Sequence, residues 1–440
     1  MGNRKNPAQK TTASWVDADA GLVSAKIFVD EEIYRLEQER IYSRSWLFLA
    51  HDSEIPEPGD FVTRSMGEDP VIVWRGQDRK ARVFLNVCRH RGRRVCAEDA
   101  GKAAQLRCPY HGWTYSNMGK LLAVPFFEGY QGKLEKESLG LCEARIESYR
   151  GLIFGSWDDK AEGLQEYLGE MRWVLDLMFG RSEGSEVVGA PMRWITDANW
   201  KLAAANFAGD GTHIFTTHGF RTALGIETIG GKRESYTFPA PGGHAAAITS
   251  WPDGAQYQSY LDLPQSLWPE LRRQLSPEQF KLMERLQVIV GNFFPNLSFL
   301  NTSSHTPEEW AGRAEATVSF LTLRQWQPKG PQQMEVWSWC FVDKNAPAAW
   351  KEASKECYLR SFGIAGMFEQ DDMENWGEIT QALRGPRACR LDLQYKMGLE
   401  VTPAPGWPGP GTAYLQRPSF LELNERHFYR RWQELIQNGA

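Results

Sequence analysis

A chain of 440 residues is long enough for two or three domains with ample buried cores. Its net charge of −5, with 42% apolar and 24% charged residues, offers no basic field for nucleic acid or an anionic membrane surface, and no apolar run is long enough to span a bilayer. Seven scattered cysteines behind a polar opening without signal-peptide character argue against a disulfide framework and for a reducing cytoplasm, and Asn6 stands where a myristoylation signal needs Ser or Thr.

Residues 1–18 read as a flexible arm. Residues 28–46 set Ile33, Leu36, Ile41 and Trp46 among charges, which predicts an amphipathic helix capped by Asp30. From 47 to 157 short β-rich pieces recur (DFVTRSM, DPVIVWRG, ARVFLNV, GLIFGSW), punctuated by turn residues, and predict a small all-β module. Residues 158–180 return to helical spacing through Leu164, Leu168, Met171, Leu175 and Met178. From about 187 onward strands and helices mix. WITDANWKLAAANFAGDGTHIFTTHG begins strand-like and becomes helical, while VGNFFPNLSFLNTS, EATVSFLTLRQWQP and MEVWSWCFVDK read as long strands. Residues 347–383 read as helix, glycine-containing break, helix; 403–411 form a Pro/Gly loop, and LNERHFYRRWQELIQ closes the chain as an amphipathic helix. The organisation is therefore an N-terminal helical part (1–46), a β module (47–157) and a larger mixed domain (158–440).

The β module carries the most informative residues. Cys88-x-His90 is followed by Cys108-x2-His111, two thiols and two imidazoles placed in loops between strands. Such a set can hold zinc or a [2Fe–2S] cluster, with the cysteines on one iron and the histidines on the other. Gly92 and Gly112 follow each pair and allow tight turns close to sulfide. Cys96 fits neither pair and reads as a core thiol. CRHRG-x15-CPYHGW resembles the Rieske motif, and the β-rich stretch around it resembles a Rieske domain.

A second constellation follows about a hundred residues later. Asn206, Asp210 and His213 are offset by four and three residues, which puts them within about 40° on one helix face. His218 lies about 140° away on an ideal helix, so the helix must distort or end between the histidines, and Gly219 supplies a terminus. Two histidines need a carboxylate to complete a facial triad for Fe(II). Asp210, Asp371, Asp372 and Glu374 are the candidates.

Together these residues resemble the α subunit of the Rieske non-haem iron ring-hydroxylating oxygenases, over nearly the whole chain. NWKLAAANFAGDGTHIFTTH is similar to the family's N-x3-D-x2-H-x4-H segment, and FGIAGMFEQDDMENW to the segment that supplies the carboxylate. The resemblance implies that His213, His218 and Asp372 bind iron, with Asp371 as the alternative ligand. It implies that Asp210 bridges a metal-binding histidine to a Rieske histidine of the neighbouring subunit. The implied fold is α+β: a Rieske domain inserted near the N-terminus of a catalytic domain whose large antiparallel sheet surrounds a long helix (helix-grip, START-like).

The same resemblance implies a head-to-tail trimer of α subunits, completed by a small β subunit as α3β3. Ferredoxin and an NAD(P)H-dependent reductase would feed it, since no nucleotide-binding fingerprint stands in this chain. EQDD-x-ENW is similar to the naphthalene, biphenyl and polycyclic branch, whose members add both atoms of O2 to an arene to give a cis-dihydrodiol. Asn206, Phe207, Ile214, Phe362 and Phe368 are the implied pocket residues, and 293–300 a further wall. The rival is a Rieske monooxygenase or demethylase acting on a polar or carboxylated substrate, which would want a basic clamp; Arg221 is the nearby candidate. Residues between 222 and 265 are expected to tune pocket depth.

Overall fold

The computed structural model describes residues 14–220, 233–254, 259–305, 317–416 and 421–438. Most of the arm expected over 1–18 lies outside these residues. The remainder is ordered: Val16–Asp17 pairs with Leu22–Ser24, and the Val16 N–H donates to Gln433 at 2.6 Å. Helix α1 (Glu31–Glu37) begins where expected, because the Asp30 carboxylate accepts from the Glu32 and Ile33 N–H groups at 3.0 Å each. It runs into a wider turn over Gln38–Tyr42 and stops before Trp46, whose indole donates to the Glu162 carbonyl.

The β module is built on a seven-stranded antiparallel sheet. Its strands are β1 (Leu47–His51), β2 (Asp60–Met66), β3 (Asp69–Arg75), β4 (Ala81–Leu85) and β5 (Ala100–Lys102). A second, small sheet holds β6 (Gln105–Arg107), β7 (Thr114–Ser116) and β8 (Leu121–Ala123). The chain then returns to the first sheet through β9 (Glu143–Tyr149) and β10 (Leu152–Ser156), giving the order β1-β10-β9-β4-β3-β2-β5. Alternating burial along β2 explains why one face is shared with the catalytic part while the other packs Phe61, Trp74, Phe84, Trp113 and Tyr115 around the two cysteines.

The catalytic part is a nine-stranded antiparallel sheet. Its strands are β11 (Ser185–Val187), β12 (Met192–Thr196), β13 (Glu234–Ala240), β14 (His244–Ser250), β15 (Leu286–Phe293), β16 (Leu297–His305), β17 (Thr317–Pro328), β18 (Met334–Asp343) and β19 (Tyr414–Leu415). They run β11-β18-β17-β16-β15-β14-β13-β19, with β12 also pairing β18. The stretch expected as one long strand over 290–303 is two, turning at Phe294–Asn296, where Pro295 has no N–H for a ladder. Its phenylalanines pack inward: Phe293 on Phe299, and Phe294 on Phe428.

Helix α2 (Trp200–Gly209) lies against β14 and β15, and every residue but Asn206 is buried. Four alanines let it come close to the sheet, and apolar burial on all sides explains why it shows no amphipathic stripe. Helix α3 (Ala348–Phe362) covers β17, α4 (Met367–Leu383), after the break expected at 363–366, packs on α3, and α5 (Leu423–Asn438) packs on α2. No helix among the described residues is long and apolar enough to cross a membrane.

The start of α2 is pinned by a buried ion pair. Lys201 Nζ lies 2.6 Å from Glu37 Oε1, and both side chains are fully buried. The indoles of Trp200 and Trp432 donate to the same carboxylate at 2.9 and 2.8 Å. Burial pulls the Lys201 pKa down while the Glu37 charge pushes it back up. Lys201→Met strands a buried carboxylate and is expected to cost about 3–5 kcal/mol, read as a lower midpoint of urea unfolding. Glu37→Gln combined with Lys201→Met keeps an acceptor for the indoles and should recover part of that loss.

Candidate active site

Two loops with the same hydrogen-bond pattern present the cysteine–histidine pairs. Leaving β4, Cys88 N donates to Arg93 O and Gly92 N to Cys88 O, both at 2.9 Å. Between β6 and β7, Cys108 N donates to Trp113 O at 2.8 Å and Gly112 N to Cys108 O at 3.0 Å. Each turn closes through a left-handed glycine, Gly92 at φ +76° and Gly112 at +75°. Nothing crowds the Cβ position of Gly92, so its backbone angle alone calls for glycine there.

The loops bring the two cysteines to each other and the two histidines to each other. Both cysteines are buried, and the rings of His90 and His111 lie 4.5 Å apart, edge to face. His90 is held by stacking on Trp113 at 5.0 Å, and its Nδ1 is buried with no hydrogen-bond partner among the described residues. A buried imidazole nitrogen left empty-handed is costly unless it ligates something. Burial raises the Cys88 pKa, while the Tyr115 hydroxyl at 3.5 Å and the His90 N–H favour the thiolate. Two thiols and two imidazoles from two clamping loops fit a [2Fe–2S] cluster.

The second site forms where α2 ends. The sequence reading extends the helix through Asp210 to His213; the chain instead leaves it at Gly209 (φ +151°), and Asp210 is the C-cap. A Cβ on Gly209 would sit 2.7 Å from Asn424 Nδ2, and that amide caps the Ala208 carbonyl at 2.7 Å. A short turn over His213–Phe215 follows, so the helix ends before the first histidine rather than between the two. Asp210 organises this turn: its Oδ1 accepts from Thr212 N at 2.9 Å and Thr212 Oγ1 at 2.8 Å.

His213, His218 and Asp372 offer three ligand atoms that all lie within 4.8 Å of one another. Asp372 Oδ1 is 3.6 Å from His213 Nε2 and 3.2 Å from His218 Nε2. Asp371 instead faces the other nitrogen of His218, 3.6 Å from Nδ1. The Asp372 side chain is 5% exposed and that of Asp371 36%, so the buried carboxylate is the one aimed between the histidines. Glu374 is exposed one turn away. Burial disfavours the His213 imidazolium, but Asp210 and Asp372 outweigh it and raise the pKa. Two imidazole nitrogens and one carboxylate this close to one another fit a divalent iron with open positions.

On one side of this group stand phenylalanines. Phe368 meets His218 at 5.1 Å, Phe362 stacks on Phe368 at 5.4 Å, and Phe207 meets Phe362 at 6.3 Å. Ile214 is half-buried. Asn206 stands elsewhere: its carbonyl accepts the Trp376 indole N–H at 3.0 Å, which leaves its amide nitrogen 3.3 Å from His213 Nδ1. It lines a cavity with Asp210, Tyr395, Glu422 and Glu425. The sequence reading missed Trp376 and these last three residues, which carry no local signal. Arg221 and parts of 222–265 lie outside the described residues.

A paired-loop iron–sulfur module joined to a two-histidine, one-carboxylate site defines a Rieske non-haem iron oxygenase. The family described as Rieske [2Fe-2S] domain matches residues 45–136, and that described as ring hydroxylating alpha subunit (catalytic domain) matches 164–438. Biphenyl 2,3-dioxygenase subunit alpha of Rhodococcus jostii (strain RHA1) is 35% identical, over 99% of this chain and 93% of its own. N,N-dimethyl phenylurea N-demethylase subunit alpha of Sphingobium sp. (strain YBL2) is also 35% identical, over 96% and 93%. The solved naphthalene 1,2-dioxygenase from Rhodococcus sp., bound to indole, superposes with a TM-score of 0.89 at 42% identity, covering 94% of each chain. The chain belongs to the ring-hydroxylating dioxygenase α subunits, oxidoreductases that carry a Rieske [2Fe–2S] cluster and a mononuclear iron.

Replacing His218 by Ala is expected to remove about one iron per chain while the visible spectrum of the cluster stays unchanged. Metal analysis beside absorbance reads both; loss of the two together would mean that His218 serves folding instead.

Proposed function

We propose that Cys88, His90, Cys108 and His111 hold the cluster, and that His213, His218 and Asp372 hold the iron. In this reading the Rieske domain spans 47–157, between an N-terminal piece (1–46) and the remainder (158–440) of the catalytic domain. When bound, the cluster supplies electrons one at a time and the iron supplies O2 activation. The chain's own residues do the rest. His213 would turn Nε2 to the metal, leaving Nδ1 between Asp210 Oδ2 at 3.5 Å and the Asn206 amide nitrogen at 3.3 Å. The Asp210 carboxylate beside His213 is the bridge to a Rieske histidine of a neighbouring subunit, within an α3β3 assembly fed by ferredoxin and a reductase.

The substrate class is a neutral aromatic hydrocarbon, to which both oxygen atoms are added to give a cis-dihydrodiol. The observation that carries this is the wall of Phe368, Phe362 and Phe207 beside His218. Arg324 lies beneath that wall, 5.4 Å from the Phe362 ring, but it is spent on Glu369 and on the Phe362 carbonyl. It is not offered to a carboxylated substrate, and an apolar wall suits a hydrocarbon. The demethylase relative keeps single-oxygen insertion as the second reading.

Turnover under 18O2 with a β subunit and a surrogate ferredoxin and reductase separates the two. Naphthalene, biphenyl or phenanthrene should give a diol carrying two labelled oxygens; one labelled oxygen would move the enzyme to the monooxygenases. Asp210→Asn should keep iron and a reducible cluster yet slow cluster reoxidation by substrate and O2 about 10–100-fold. Stopped-flow absorbance of the reduced cluster checks this, and an unchanged rate would remove Asp210 from the electron path.

A further inference from the structure

Behind His213 lies a cavity of about 220 Å³ whose lining includes Asp210, Tyr395, Glu422, Glu425 and Tyr429 but none of the three phenylalanines. Glu425 stands in the first turn of α5 and is 3% exposed. Its Oε2 is buried and meets no donor among the described residues. The charged group next to it in sequence is turned away, since the Arg426 guanidinium donates to the carbonyls of Tyr395, Met397 and Gly398 at 2.6–2.8 Å. The Tyr395 and Tyr429 hydroxyls, 3.4 Å apart, close another side.

Within one subunit an ionised carboxylate here would be buried, without a cation on its free oxygen and beside the charges of Asp210 and Glu422, a combination that costs several kcal/mol. A carboxylic acid avoids that cost and turns the unpartnered oxygen into a donor. We propose that Glu425 is a proton-bearing positioning residue: a neutral acid across the cavity from Asp210 that keeps the bridge to His213 singly charged. The inference rests on the proposed place of Asp210 in the electron path.

The electrostatics run the same way. Burial, then Asp210, then Glu422 push the Glu425 carboxyl far above the usual carboxylate range, against a weaker pull from its own backbone N–H and Arg426. Burial, opposed by the Tyr429 hydroxyl, holds Tyr395 at about 12, and burial raises Tyr429 too, so neither phenol carries charge near neutrality. Asp372 and His213 face the cavity from α4 and from the turn after α2. Because the folded-state pKa of Glu425 is raised, the neutral form prevails below it. A second negative charge appears beside Asp210 only as pH rises through it, and it opposes the arriving electron.

Infrared difference spectra of the assembled oxygenase, wild type minus Glu425→Gln, are expected to show a protonated-carboxyl carbonyl band at neutral pH that shifts in D2O. In single-turnover cluster reoxidation the wild type should slow as pH rises. Glu425→Gln, neutral at every pH, should raise the ratio of alkaline to neutral rate by about threefold or more. Asp210→Asn removes the adjacent charge and should make the band vanish at a lower pH than in wild type. Absence of the band at neutral pH, or an identical alkaline fall in wild type and Glu425→Gln, overturns the proposal. A band that is present while Asp210→Asn transfers electrons normally would sink the electron path and leave the proton in place.

Discussion

Everything at the mononuclear site depends on α2 being unable to move. Its first turn is tied to Glu37 through Lys201 and Trp200, at a carboxylate that also takes the Trp432 indole of α5. Asn199 caps the helix through Lys201 N and reaches the Phe28 and Pro331 carbonyls, so the N-terminal segment, α2 and the β17–β18 turn share one anchor. At the far end Gly209 lies against Asn424, which also holds the Ala246 carbonyl of β14. A helix fixed at both ends and buried between sheet and α5 delivers His213 to a defined point. Metal sites need that, because a ligand displaced by an ångström no longer closes the coordination set.

The partner helix α4 is locked to α2 by polar contacts rather than by packing alone. Thr380 accepts the Asn199 N–H, and the Trp376 indole fixes the Asn206 amide. These two contacts, one turn apart, set the rotation of α4 and thereby send Asp372 inward and Asp371 toward solvent. The polar and apolar sides of the site are then segregated: phenylalanines gather at His218, and carboxyl groups and tyrosines behind His213. Under the proposed function, this separation keeps the apolar substrate space apart from the carboxyl groups of the electron path.

The cluster module is self-sufficient by comparison. It has its own core around Trp74, Trp113 and Tyr115, and the backbone hydrogen bonds that close its two loops span four or five residues. Its tip is exposed and basic, with Arg89, Arg91, Arg93 and Arg94 around His90 and Tyr110 beside His111. Local closure explains why this half was readable in advance: ligand spacing, glycine positions and turn residues all act over short distances.

By itself the amino-acid sequence determined the two cysteine–histidine pairs, the strand-rich module around them, the histidine pair at 213 and 218 and the α3–α4 break. Each of these follows from local spacing and turn chemistry. Only the tertiary structure decided that α2 ends at Gly209, because the reason is an Asn424 side chain more than two hundred residues away. The same holds for the turn at Phe294–Asn296, for the place of Asn206 and for the arrival of Glu425 behind His213. Adjacent aspartates 371 and 372 are chemically identical in a sequence. Burial and rotation about α4, set by contacts distant along the chain, make them different.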